Sequence, residues 1–440
     1  MNARLSIVSL AMLAATALAP RPAHAFCGFY VGKAGAELYN HASKVVLARD
    51  GKRTVLTMNN DFEGNMKDFA LVVPVPTVLV KDQIHIGDRH FVDRIDNYSA
   101  PRLVEYFDED PCSPREYERE EKAAAVKEDA APAPRKASNK TLGVRVEAEY
   151  TVGEYDIVIL SAKESDGLQT WLVQQGYQIP PKAAAALEPY IKQNMKFFVA
   201  RVNLKEQKST GVTYLRPIQI AYESEKFMLP IRLGMANAKG AQDLLVYTLT
   251  PHGRVESANY KTVNMPSDVE VPLYVKDVFG KFYADTFQQA HKQSDYRAVH
   301  TEYVWNSAWC DPCADNPLTP EELHGLGVFW LDQSGSNAPI ITRLHVRYDA
   351  EHFPEDLVFQ ETGDQQNFQA RYILRHPFKG NLACEAGREY LKSLDARHGQ
   401  ERDTLATLTG WDKAAIMKAM GDDAPGHIPS EEPWYKRMWK

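Results

Sequence analysis

Val45-Val46-Leu47-Ala48-Arg49-Asp50-Gly51-Lys52-Arg53-Thr54-Val55-Leu56-Thr57-Met58 reads as two apolar, β-branched runs joined by a tight turn. Val, Leu and Thr suit a pleated, half-buried surface, and Asp-Gly supplies the turn chemistry. Outward from this stretch, Phe69 to Val80 is apolar but carries Pro74 and Pro76, which places it at a sheet edge or in an extended segment. Val212 to Tyr222 alternates, with Ile218, Ile220 and Tyr222 on one face, before Glu223-Ser224-Glu225-Lys226 turns into Phe227-Met228-Leu229. Leu344, Val346 and Tyr348 repeat that pattern before Asp349-Ala350-Glu351-His352 and Phe353. These two segments are expected to form similar hairpins, with the segment from Met58 to Phe69 a weaker relative.

Helices interrupt the strands. Ser165 or Asp166 can cap a helix with Leu168, Trp171 and Leu172 on one face and Gly176 at its end. Pro180-Pro181 opens a second helix from Lys182 to Leu187, and Met195 to Leu204 returns to strand. Cys384 to Thr407 and Trp411 to Met420 read as helices, followed by a tail from Glu431. The expected class is α+β: β-hairpin-rich sheets, an inserted helical pair and a helical C-terminal region. The expected divisions are a signal peptide (1–25), a β-rich segment (26–113), a charged Ala/Pro-rich insertion (114–140), a main α+β region (141–383) and the C-terminal region (384–440).

The first 25 residues carry Arg4, an apolar run from Leu5 to Leu18, and Ala23-His24-Ala25. That is the pattern of a cleaved secretory signal, and Phe26 before Cys27 departs from a lipoprotein signal. Cleavage removes Arg4 and Arg21 and no acid, moving the net charge from −7 to about −9. Such a chain lacks the basic footprint of a nucleic-acid binder. No later stretch is apolar enough for a membrane span. The expected location is the periplasm or the medium, with an envelope protein or a ligand as partner.

Cys27, Cys112, Cys310, Cys313 and Cys384 then lie in an oxidising compartment, where an odd count leaves one thiol free or paired between molecules. A Cys27–Cys112 bridge would contribute roughly 4–5 kcal/mol by chain entropy, and a Cys310–Cys313 bridge roughly 2 kcal/mol. Trp309-Cys310-Asp311-Pro312-Cys313 resembles the Trp-Cys-x-Pro-Cys active site of the thioredoxin family, which implies Cys310 as attacking and Cys313 as resolving thiol. Asp311 departs from that pattern by disfavouring thiolate, and the next helix is signalled only at Thr319-Pro320-Glu321-Glu322. Cys310 and Cys313 also have zinc-ligand spacing, with Cys384 or a histidine as further donors.

Ala314 occupies the position where haem attachment needs histidine, and metalloprotease, nucleophile-elbow, phosphate-loop and dinucleotide motifs are absent. No cofactor and no metal is expected. His345 and His352, with Glu351, Glu355 and Asp356, offer acid–base or metal chemistry or a solvated turn. Trp305, Trp309, Phe329 and Trp330 offer a stacking surface or core.

The chain resembles the bacterial secreted proteins grouped as domain-of-unknown-function family 2330. The blocks are Phe26-Cys27-Gly28, Val46-Leu47-Ala48-Arg49, Asp68 to Pro76, Tyr155 to Ala162, Leu229 to Gly234, Cys310-Asp311-Pro312-Cys313 and Thr342 to Tyr348. The resemblance implies an extracytoplasmic protein without an established activity. The functional reading is a non-enzymatic binding or structural protein of the cell envelope. The alternatives are a thiol–disulfide oxidoreductase using Cys310 and Cys313, and a metal-dependent hydrolase.

Overall fold

Ten strands hydrogen-bond into one mixed sheet at the centre of the molecule. The computed structural model describes residues 23–24, 29–32, 39–63, 69–113, 145–162, 165–177, 183–203, 206, 215–236, 240–311, 315–331 and 337–426. The main strands of the large sheet are β1 (Tyr39–Asp50), β2 (Arg53–Glu63), β3 (Ile84–Ile86), β4 (Ile218–Glu223), β5 (Gln242–Thr250), β6 (Lys261–Asn264), β7 (Ala298–Asn306) and β8 (Ile340–Tyr348). Their spatial order is β6-β7-β8-β5-β1-β2-β4-β3. β1 and β2 form the expected hairpin, paired through Asp50 and Arg53 around Gly51 and Lys52. Gly51 has φ +57°, as the first position of a two-residue loop requires.

The two later segments do not close as hairpins, which corrects that expectation. After β4 the chain leaves the sheet at its polar turn, and Met228–Leu229 pairs instead with Leu357–Glu361. Leu357–Glu361 is itself the strand that follows β8. The two similar segments are thus strand–turn units whose far ends meet each other, because the apolar residues after each turn find a partner outside the large sheet.

A second, antiparallel sheet has the order Phe29–Gly32, Phe69–Val75, Lys196–Val202, Tyr155–Ser161 and Arg145–Val152. The strand containing Pro74 lies inside this sheet and not at its edge. Its described pairing with Phe29–Gly32 runs from Phe69 to Val72, and on the other side Pro74 lies opposite Phe197.

Strand alternation then builds layers. Val45, Leu47, Leu56, Met58, Ile218, Ile220, Leu244 and Leu344 on one face of the large sheet pack against Leu71, Val73, Ile157, Ile159 and Phe198 of the second. The outer face of the second sheet (Val72, Val158, Leu160, Phe197, Val199) is covered by α2 (Ser165–Gln174) and α3 (Ala183–Lys192) through Leu168, Leu172, Leu187 and Tyr190. These are the expected helical pair, with Gly176 at φ +87° ending the first; the second continues beyond Leu187 through Pro189. The opposite face of the large sheet (Val46, Ala48, Tyr247, Leu249, Trp305, Ile341) meets α1 (Arg89–Ser99) and α5 (Pro320–Gly325). Side chains such as Val46 and Leu47 are fully buried, worth about 1.5–3 kcal/mol each in removal from water.

A further core joins α4 (Phe279–Gln293), α6 (Glu385–Thr409), α7 (Lys413–Met420) and Arg371–His376 through Phe282, Leu405, Ile416 and Tyr372. Arg371–His376 pairs in parallel with Arg102–Phe107. A disulfide between Cys112 and Cys384 fastens the segment following that strand to the start of α6. The expected signal segment (apart from 23–24), the whole of the expected insertion and the C-terminal tail lie outside the described residues.

Candidate functional site

One cavity opens at the end of the two-sheet sandwich where β4 turns out of the large sheet. Its volume is about 260 Å³. Leu56 and Tyr222 form the wall from the large sheet, Pro74, Val75 and Met195 the wall from the second, and Met228 and Pro230 the floor. Apart from the Tyr222 hydroxyl, the polar side chains of the lining are Gln193 and, consecutive in the turn after β4 at the rim, Ser224, Glu225 and Lys226. Lys226 Nζ donates to Gln193 Oε1 at 2.7 Å, and Lys52 pairs with Glu225. The rim is held by the buried Arg49, which donates to Thr54 Oγ1 at 2.8 Å and to the Ser224 carbonyl at 3.0 Å, its guanidinium lying over Phe227. Three stretches that carry the family resemblance converge here: Arg49, Pro74 to Pro76, and Pro230. The cavity is an apolar pocket with one polar end, the usual form of a small-molecule site.

On the opposite face of the large sheet, a buried ion network is built by a β-bulge. β7 and β8 pair His300 with His345 and Thr301 with Leu344, then Tyr303 with Arg343, leaving Glu302 as the extra residue. The bulge turns Glu302 to the same side as His345 and Arg343. Glu302 is 1% exposed and accepts from Arg343 Nε at 2.6 Å, from Tyr283 OH at 2.5 Å, and meets His345 Nδ1 at 2.8 Å. Arg343 also donates to Asp96 Oδ1 at 2.7 Å, and Tyr247 OH donates to the same oxygen at 2.7 Å. Lys44 Nζ lies 2.5 Å from Asp96 Oδ2. At the outer end, Arg347 grips Asp243 with two bonds of 2.7 Å, and His345 Nε2 is 3.4 Å from Asp243.

Burial alone would raise the Glu302 carboxyl, but Arg343 and His345 outweigh it and hold it at about 2. Burial would lower His345, but Glu302 and Asp243 raise it. His345 stacks on Phe287 of α4 at 3.7 Å, and both of its ring nitrogens face carboxylates. The neighbouring His291 and His300 are buried; burial, reinforced by nearby positive charge, lowers them to about 4 and about 3. The network bonds α1, α4, β5, β7 and β8 together. Of its members only His345 was singled out from sequence. The signal available was Arg343, His345 and Arg347 at period two in a strand whose other face is Leu344 and Val346.

The other sequence candidates disperse. His352 is turned onto Asp349, with Nδ1 2.9 Å from its carboxylate. Asp356 accepts from Tyr190 OH at 2.5 Å and from the Ile231 N–H at 2.9 Å. Glu351 and Glu355 are exposed around that turn. Trp305 and Trp309 touch edge to face at 5.0 Å, as do Phe329 and Trp330; Trp305 is buried and Trp309 is 48% exposed. No group of three or more metal-ligating side chains converges among the described residues.

Cys112 pairs with Cys384, in place of the Cys27–Cys112 bridge weighed from sequence; the partner strand and α6 bring the two Cα atoms to 5.9 Å. Cys310 is half-buried and disulfide-bonded, while Cys27 and Cys313 lie outside the described residues. Among the described residues the first helix after Cys310 is α5, which starts at Pro320 on the expected Thr319–Glu322 capping box.

Fold and site define an α+β protein of two packed sheets between helical layers, carrying an apolar cavity and a separate buried ion network. A family model described as an uncharacterized protein conserved in bacteria, domain-of-unknown-function family 2330, matches residues 21–360, and the chain belongs to that family. No curated protein and no solved structure matches it. No helix among the described residues is long and apolar enough to cross a membrane.

Proposed function

We propose that this chain is an exported, non-enzymatic binding protein of the cell envelope. It takes a small amphiphile, an apolar body with one hydrogen-bonding or anionic end, in the cavity between its two sheets. The observation that carries this reading is the cavity itself: about 260 Å³, apolar on its walls and floor, polar on one rim. That volume lies just below the usual range of about 300–1,000 Å³ for ligand pockets, so the body is the size of a short alkyl chain or a small aromatic. An anionic end can accept from Lys226 Nζ in place of Gln193. Two features favour binding over the catalytic alternatives. His345 has both ring nitrogens committed to carboxylates. Among the described residues no helix N-terminus of the kind that lowers a thiol pKa meets Cys310. Export is supported by the signal-like first 25 residues and by a disulfide-bonded body.

The test is a titration of the purified chain with anilinonaphthalene sulfonate, whose fluorescence rises in apolar sites, in competition with straight-chain alkanoates. Saturable one-to-one binding, displaced more strongly by longer alkanoates and weakened at least tenfold in Met195→Trp with unchanged circular dichroism, supports the site. Binding that does not saturate, or that survives both Met195→Trp and Met228→Trp, overturns it. Fractionation of cells expressing the chain with and without residues 1–25 tests export.

A further inference from the structure

The Cys112–Cys384 bridge joins two sulfurs in opposite surroundings. Cys384 is the N-cap residue of α6, a 25-residue helix, and its Sγ accepts from the Gly387 N–H at 3.1 Å. Gly387 can approach so closely because it has no side chain; a Cβ there would lie 2.5 Å from the Leu382 carbonyl oxygen. Arg388 stands in the same first turn and donates to the Ala383 carbonyl at 3.1 Å. The positive end of the helix, an aimed N–H and the Arg388 cation favour negative charge on Cys384, opposed by the exposed carboxylate of Glu385 in the same turn. Cys112 is exposed and sits on an acidic turn: its N–H donates to Asp110 Oδ1 at 2.8 Å, and Glu109 is exposed beside it. Those carboxylates disfavour negative charge on Cys112.

We infer that the bridge is a site of thiol–disulfide exchange with a fixed direction: an external thiol is captured on Cys112, and Cys384 is the leaving group. The incoming thiolate sulfur bonds to Cys112 Sγ as the Cys112–Cys384 bond breaks, and its electron pair departs on Cys384 Sγ. The product is a mixed disulfide on Cys112 and a thiolate capping α6. A second equivalent of the same thiol attacks the sulfur of the first, releasing Cys112 as thiolate and carrying away the oxidised disulfide form of the thiol. Exchange is faster when the better thiolate leaves and the attacked sulfur is accessible, and both conditions select this direction. The co-reactant class is a small thiol or a protein dithiol; the acidic turn favours a cationic or neutral one over an anionic one.

The test uses the full oxidised chain, a limiting concentration of cysteamine at neutral pH, acid quench, alkylation and peptide mapping of all five cysteines. The expected result is a cysteamine adduct on Cys112 at least tenfold more abundant than on Cys384, with alkylated Cys384 appearing in step. The same sample treated with glutathione should react more slowly at low salt, with the gap closing as salt is added. Adducts on Cys384, equal partition between the two, or reaction only after urea unfolding would overturn the inference.

Discussion

Glu302→Gln isolates the centre of the ion network. The substitution keeps the side-chain shape but removes the charge that Arg343, His345 and Tyr283 share. The carboxyl is held down from 4.5 to about 2, which at 1.36 kcal/mol per pH unit corresponds to about 3 kcal/mol of stability at pH 7. Removing one member of a buried ion pair costs a similar 3–5 kcal/mol by general experience. Because the folded value lies below the unfolded one, the contribution is complete above about pH 4.5 and disappears as pH falls toward 2. Urea denaturation at several pH values should therefore show Glu302→Gln less stable by about 3 kcal/mol at pH 7, with less than half that deficit at pH 3. A deficit below about 1 kcal/mol at pH 7, or one that is the same at pH 3, would refute the assignment of Glu302 as the charged hub.

Glu401 should show the opposite sign. Burial raises its carboxyl to about 8 despite Arg397, so folding loses stability as pH rises from 4.5 toward 8. Glu401→Gln is expected to stabilise the protein by on the order of 3 kcal/mol at pH 7 and to be neutral at pH 4, read by the same urea titration. Gly51→Ala forces a side chain into φ +57° with nothing within 4 Å of the new Cβ. Its cost is therefore conformational alone, about 1–2 kcal/mol in unfolding free energy. Cys384→Ser opens a loop spanning 272 residues and should lower stability by on the order of 5 kcal/mol in the chain-entropy model. Near-identical melting of the oxidised and variant chains would count against that figure.

The sequence made legible those features that are local. The β1–β2 hairpin, the α2–α3 pair, the α5 capping box and α6 were all signalled by turn chemistry, caps and periodicity within a dozen or so residues. The partner of a strand was not. Phe227 to Leu229 looked like the return arm of a hairpin, yet its mate is Leu357, over a hundred residues on. Pro74 suggested an edge because the rule concerns one missing donor; it could not show that Phe29–Gly32 pairs along the far side of the same strand. The candidate site was hidden for the same reason. Met195, Tyr222 and Met228 are ordinary core-type residues, and only the convergence of two sheets leaves space among them. Glu302 carries no motif, and its role depends on a bulge that no sequence pattern announced.

The pairing of Cys112 with Cys384 also imposes an order of events. A chain emerging N-terminus first presents Cys112 with its mate still 272 residues behind. At roughly 5–20 residues per second that interval is about 14–54 s, long compared with the collapse of a domain. Cys27 is already present as the nearest wrong partner, and Cys310 and Cys313 arrive within the interval as two more. An oxidant that acts in the order of arrival makes an error here. The native pair then depends either on late oxidation, after β7, β8 and α6 have assembled, or on reshuffling of a premature bond. The start of the long helix α6 thus closes the molecule covalently, and the timing of oxidation becomes part of how this sequence reaches its fold.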